Sequence, residues 1–468
     1  MSSPLNLHAD RLFPVETKAR EICRDLYESV ASLPILSPHG HTDPKWFSLN
    51  KPFENPTDLL LTPDHYLVRM LFSQGVTMEQ LGFGTKNVAR DPKAIWKIFA
   101  TNYYLYRGTP SSLWLDYVFS QVFNLDIKLD ENTADHYYDA ISSFLAKPEF
   151  LPRSLFDQFN IEVLSTTESP LDNLEHHQTI IESNWNGRII SAFRPDPIVD
   201  PEFEGFESNI SRLAELTGET CDTFQSYINA IVKRREYFIS KGVTSSDHGH
   251  PTASTADLSD IECECLYQKI ISGDFSANDA EIFRAQMLTE MASMSIADGL
   301  VMQIHPGSFR NHNPTLFNKF GRDKGADLPM QTEYVNALKP LLDKYGNNSD
   351  LTIILFTLDE TTYSRELAPL AGHYPALKLG PSWWFHDSPQ GMLRFREQIT
   401  ETAGFYNTVG FNDDTRAFLS IPARHDVARR MDCHFLANLV AQHRIDMNDA
   451  MDVAYDLTYG LAKKAYKL

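Results

Sequence analysis

The sequence predicts an α/β chain built as a closed barrel of parallel strands. Two observations carry this. Short apolar runs rich in β-branched and aliphatic residues recur along the chain, separated by longer helical or polar stretches. Groups able to bind metal or move protons stand at the ends of several runs, as active-site groups do at one mouth of such a barrel.

The runs, in order, are Pro34 to Ser37, Ile161 to Ser165, Arg188 to Phe193, Val243 to Ser246, Leu300 to Ile304, Leu351 to Thr357, Ala376 to Leu379 and Thr408 to Phe411. Continuous apolar strands alternating with helices imply a parallel sheet covered on both faces. Eight such units favour a closed barrel over an open doubly wound sheet. The gap between the first two runs is long, helical and aromatic, as in Ala94 to Phe99 and Trp114 to Phe119. It reads as a helical subdomain with its own small core, or as an aromatic box for a stacked cofactor. The expected division is 1–60 for the N-terminal segment and first strand, 61–155 for the helical insertion, and 156–468 for the rest of the barrel. Pro201 to Gly242 and Ala277 to Met294 read as helical. Asp196 to Gly205, rich in proline and acid, reads as a surface loop.

With 468 residues, 42% of them hydrophobic, the chain can bury a large core. A formal net charge of -20 argues against nucleic acid or an anionic membrane as partner, while a few local arginines can still hold a small anion. The five cysteines are scattered, and Cys263-Glu264-Cys265 lacks the second pair of a zinc knuckle, so they read as reduced cytoplasmic thiols. Met1-Ser2-Ser3-Pro4 opens no basic-then-apolar secretory signal, and the apolar runs are short for a membrane span. Gly82-Phe83-Gly84 lacks the third glycine of a dinucleotide loop, and no phosphate loop or nucleophile elbow is present.

The chemistry starts at His39-Gly40-His41, at the end of the first run. Residues i and i+2 of a strand face the same way, so both imidazoles can meet one metal ion. His305, before Pro306-Gly307, is a ligand or a substrate contact. Asp414, in Asn412-Asp413-Asp414, is a helix N-cap or a functional acid beside Arg416. Asp64 reads as a helix N-cap, leaving His65 and Tyr66 as acid–base candidates. Arg194-Pro195-Asp196 follows the third run. Ser246-Asp247-His248-Gly249-His250 follows the fourth, its histidines serving a metal's surroundings or a loop network. Trp383-Trp384 is core or a wall on which a sugar stacks.

Taken together, Pro38-His39-Gly40-His41, Asp64-His65-Tyr66, Thr166-Thr167-Glu168-Ser169-Pro170, Arg194-Pro195-Asp196, Ser246-Asp247-His248-Gly249, Gln303-Ile304-His305, Arg310-Asn311-His312-Asn313, Trp383-Trp384-Phe385 and Asp414 to Ser420 resemble the uronate (glucuronate) isomerases of the amidohydrolase superfamily. The resemblance spans nearly the whole chain. It implies a distorted (β/α)8 TIM-type barrel with a helical insertion after the first strand. It implies aldose–ketose isomerisation of D-glucuronate with D-fructuronate and of D-galacturonate with D-tagaturonate, with no nucleotide cofactor. It further implies one divalent metal, zinc being the expected ion, on His39, His41 and Asp414. Tyr66, His65, His305, Arg194 and Arg416 would then line the sugar site. The chain departs from the common bacterial pattern in reading Ser37-Pro38-His39-Gly40-His41 at the first loop and Asn412-Asp413-Asp414-Thr415-Arg416 at the last. The bridging lysine of dinuclear relatives is missing, so a mononuclear site is implied.

For such a reaction Asp414, directly or through a bound water, is the expected base, and Tyr66 or His65 would handle the oxygen proton. Arg194 or Arg416 would grip the carboxylate through its planar fork, with Arg310 next in line and Trp384 as stacking wall. The partner expected is a small hexuronate in the cytoplasm; a homo-oligomer is left open. The runner-up is a mononuclear metal-dependent hydrolase of a sugar-acid lactone, ester or amide. A third reading is a non-catalytic sugar-acid sensor.

Overall fold

The computed structural model describes residues 3–84 and 90–468, so Met1 and Ser2 of the N-terminal reading lie outside the described residues. A seven-stranded sheet forms the centre. Its strands are β1 (Ile35–Ser37), β2 (Ile161–Glu168), β3 (Arg188–Phe193), β4 (Ser245–His248), β5 (Val301–Ile304), β8 (Ile353–Leu355) and β9 (Leu377–Leu379). They lie side by side in that order, and every pair is parallel. A small antiparallel ribbon, β6 (Ser308–Phe309) with β7 (Leu328–Pro329), branches off after β5.

The eighth expected strand, Thr408 to Phe411, shrinks to one parallel bridge between Thr408 and Leu379. The reason is local. Gly410 adopts φ +76, which ends extended pairing, and a Cβ there would meet the Leu457 carbonyl at 2.7 Å. The chain returns to β1 through its loops instead: His41 N donates to Thr415 O at 3.0 Å.

The apolar runs form strands because their residues are buried on both faces. Val301, Ile354, Phe356, Trp383, Val409 and Tyr466 pack as one inner cluster. A larger outer cluster joins the other face of β3 to β9 to helices such as Phe224–Ile239 and Ala277–Asp298. The latter starts on a capping box, Ser276 with Asp279, and stops at Gly299.

Helices fill the interval between β1 and β2. Proline occupies the first position of Pro44–Leu49, Pro92–Thr101, Pro110–Tyr117 and Pro152–Gln158, where its missing N–H costs nothing. Their core is not separate, contrary to the sequence reading. Trp96, Phe99 and Phe119 belong to one buried cluster with Ile35, Leu164, Ile189 and Phe418. Asp196 to Gly205 is likewise no plain surface loop. Helix Asp196–Val199 starts it, and Ile198 and Val199 are fully buried beside Tyr227. No helix among the described residues is long and apolar enough to cross a membrane.

Candidate active site

The parallel sheet brings the C-terminal ends of its strands to one mouth. His39 and His41 follow β1, Arg194 follows β3, Asp247 closes β4, His305 follows β5, Trp383 follows β9, and Asp414 follows the Thr408 segment. All of these but Asp247, which is fully buried behind them, line one cavity of about 930 Å³, together with His65 and Tyr66 from the first turn of helix His65–Ser73. Asp64 caps that helix, accepting from Tyr66 N at 2.8 Å and Leu67 N at 3.2 Å, and so aims both side chains.

Donor chemistry and spacing test whether these residues suit a metal ion. His39 Nε2 and His41 Nε2 stand 3.4 and 3.2 Å from the same oxygen, Asp414 Oδ1. Charge-assisted N–H···O bonds are shorter, about 2.7–2.9 Å. Two ligands each about 2.0 Å from a tetrahedral ion are about 3.3 Å apart. The spacing therefore fits ligands around a shared ion better than a hydrogen-bonded pair. Burial alone would raise the Asp414 carboxyl, but His39 and His41 hold it well below the usual range. A second group, His39, Asp247 and His305, also converges. There Asp247 Oδ1 accepts from His305 Nδ1 at 2.7 Å, leaving His305 Nε2 buried and without a partner among the described residues. That is how a carboxylate fixes the tautomer of an imidazole meant for a metal or a substrate.

Around this end the expected residues separate. Arg194 is committed inside the protein, to Asp196 at 2.8 Å and Asp247 at 2.9 Å. Gly249 is required beside it, since a Cβ there would meet Arg194 Nη2 at 2.0 Å. Arg416 is looser, 3.3 Å from Asp323 with 39% of its side chain exposed. Arg310 pairs with Asp327 at 3.0 Å and lies over the Trp384 ring. Trp384 is half-buried, lines the cavity and stacks on Phe385. His65 is pushed down to about 4 by burial and by Arg416, so its ring is neutral at pH 7. Burial, aided by Asp387, holds the Tyr66 hydroxyl well above its ordinary value, so it keeps its proton. His248 is bonded to Ser246, whereas His250 lines the cavity with neither ring nitrogen partnered among the described residues.

Sequence reading named Trp383 and Asp247 without their roles, and did not single out Asp387 or Arg424. Trp383 Nε1 donates to Asp414 Oδ2 at 2.5 Å, and its ring meets His305 edge-on. Trp383 thus belongs to both the core and the site. Asp247 had a signal, a carboxylate at a strand end beside candidate ligands. Asp387 and Arg424, paired at 2.6 Å in the cavity wall, come from loop and helix positions with no shared motif.

A curled parallel sheet with metal-competent and acid–base groups gathered at its C-terminal ends defines an α/β enzyme whose reaction is run from the strand-end loops. The glucuronate isomerase family model matches residues 14–466. The uronate isomerase of Sphingopyxis alaskensis is 62% identical over 472 residues, covering 100% of both chains. Among solved structures, the glucuronate isomerase of Caulobacter crescentus superimposes with a TM-score of 0.98 at 61% identity, covering 99% of this chain and 98% of that one. The uronate isomerase of Thermotoga maritima does so at 0.92 and 26% identity, covering 98% and 99%. This chain belongs to the glucuronate isomerase family, and its activity is the aldose–ketose isomerisation of uronates. The lactone-hydrolase and sensor readings are set aside.

Proposed function

We propose that the chain interconverts D-glucuronate with D-fructuronate, and D-galacturonate with D-tagaturonate, by proton transfer at the strand-end cavity. The observation that carries the reading is the meeting of His39, His41 and Asp414 on one oxygen, across a cavity that also holds Tyr66 and Arg416. His39, His41 and Asp414 would hold one divalent ion, zinc in our reading. Bound there, the ion supplies Lewis-acid polarisation of a substrate oxygen.

The chain's own groups do the rest. Arg416 grips the C6 carboxylate, because Arg194 has its Nε and Nη1 held by Asp196 and Asp247 while Arg416 is the more exposed of the two. Arg310 and Trp384 bound the far side of the sugar. Asp414 removes the C2 proton of the open-chain aldose while Tyr66 protonates the C1 oxygen, giving an enediol. The O2 proton returns to the Tyr66 oxygen, Asp414 delivers its proton to C1, and the ketose forms with no redox cofactor. His65, neutral at pH 7, and His305 line the same cavity and can relay these oxygen protons.

The same reading makes the whole chain a distorted (β/α)8 barrel, with 61–155 as the helical insertion, acting in the cytoplasm on a small hexuronate. Incubation with glucuronate and no nicotinamide nucleotide, followed by proton NMR, tests it. Fructuronate should accumulate to an equilibrium mixture reached from either side. A glucuronate signal unchanged by fully metallated protein would contradict the reading.

A further inference from the structure

Beneath the metal end of the site lies a buried polar layer. Ser37, Ser245, Gln303 and Asn412 each precede a site residue by two positions: His39, Asp247, His305 and Asp414. A barrel interior is ordinarily filled by bulky branched side chains. Here the layer is polar, and one hydroxyl from the far end of the chain sits in it.

That hydroxyl belongs to Tyr466, just after helix Leu461–Ala465, and its ring is fully buried. The ring packs in the inner cluster with Val301, Ile354, Phe356, Val409 and Trp383. The hydroxyl donates to Gln303 Oε1 at 3.2 Å and accepts from Asn412 Nδ2 at 3.4 Å. Gln303 in turn donates through Nε2 to Ser245 Oγ at 3.2 Å. A hydroxyl can donate once and accept, so Tyr466 serves both amides at once, and a phenyl ring would remove this partner from Gln303 Oε1 and from Asn412 Nδ2.

We propose that Tyr466 is a positioning residue for the metal end of the site: its hydroxyl, shared between Gln303 and Asn412, fixes the end of β5 and the loop that present His305 and Asp414. Asp414 sits at φ +38, a left-handed conformation that a residue with a Cβ keeps only when its surroundings hold it. Ligands must stay within about 0.2 Å of their working distances, so a small slackening of the Asn412 loop reaches the metal. The inference rests on the reading that His39, His41 and Asp414 hold an ion.

The test uses the metal-stripped whole chain, wild type and Tyr466→Phe, titrated with zinc against a chromophoric chelator. A melting curve is run on each. Wild type should bind one equivalent; failure at that step removes the metal reading itself. Tyr466→Phe should bind the same equivalent with affinity weakened by about 10-fold, the low end for losing an outer-shell partner. Its kcat should fall with KM unchanged. Wild-type affinity in a folded Tyr466→Phe overturns the proposal. Should that variant fail to fold, Asn412→Ala removes the other partner and must show the same weakening. Wild-type affinity there, or loss of the fold in both, assigns the hydroxyl to stability alone and overturns the proposal.

Discussion

Trp383 and Asp414 divide the work on one carboxylate. Trp383 Nε1 donates to Oδ2 at 2.5 Å, and this leaves Oδ1 turned to His39 and His41. The indole thereby fixes which oxygen faces the two imidazoles. Trp383→Phe keeps a ring against His305, removes the donor and leaves a small gap in the buried cluster. We expect kcat to fall by roughly 10- to 100-fold, the scale for an outer-shell partner, with the melting temperature nearly kept. Steady-state kinetics beside a thermal melt checks this. An unaffected kcat would show that the bond does no catalytic positioning.

The arginines should behave differently from one another. Arg416→Met removes the proposed anchor and should cost roughly 2–4 kcal/mol in kcat/KM for uronates, the scale for truncating one partner of a close charge pair. Arg194→Met should disturb Asp247 and His305, which it holds, and lower stability as well. Kinetics with glucuronate, paired with denaturant unfolding, separates the two. Wild-type kinetics in Arg416→Met would move the anchor to Arg310.

Tyr66→Phe removes the acid and leaves the ring that meets Trp114 edge-on. The loss in kcat should be about 10²-fold or more, as for one general acid. The pH–rate profile should also change shape. Normal turnover would pass the oxygen proton to His65.

Glu168 gives a prediction in pH. Its carboxyl is pushed up to about 7 by burial, against the pull of hydroxyls from Ser191 and Thr166. The unfolded carboxyl ionises near 4.5. Between those values the folded state holds the extra proton, so this group's contribution to stability declines as pH rises. Glu168→Gln cannot ionise and escapes the decline. Its melting temperature relative to wild type should rise from pH 5 to pH 8. A constant difference would show that Glu168 titrates normally.

Sequence reading reached the site because its groups stand at strand ends, where local apolar runs mark the position of each. His39, His41, His305 and Asp414 were legible for that reason, as was Asp64 as a cap. The same reading could not see that Arg194 is occupied, since Asp247 lies far along the chain and only the β3–β4 pairing brings it near. Nor could it find Tyr466, which reaches the inner layer by packing alone. Seven strands formed where β-rich runs were uninterrupted; the eighth stopped at Gly410, whose positive φ no run of apolar residues announces.

Proton transfer through Asp414 is tested most directly in D2O. Glucuronate turned over in D2O by the metallated enzyme should yield fructuronate carrying deuterium at C1, and recovered glucuronate should carry it at C2. Asp414→Asn should abolish both turnover and exchange, which NMR and mass spectrometry read together. Complete retention of the C2 hydrogen at C1 over many turnovers, or an Asp414→Asn variant with normal turnover, would contradict the account.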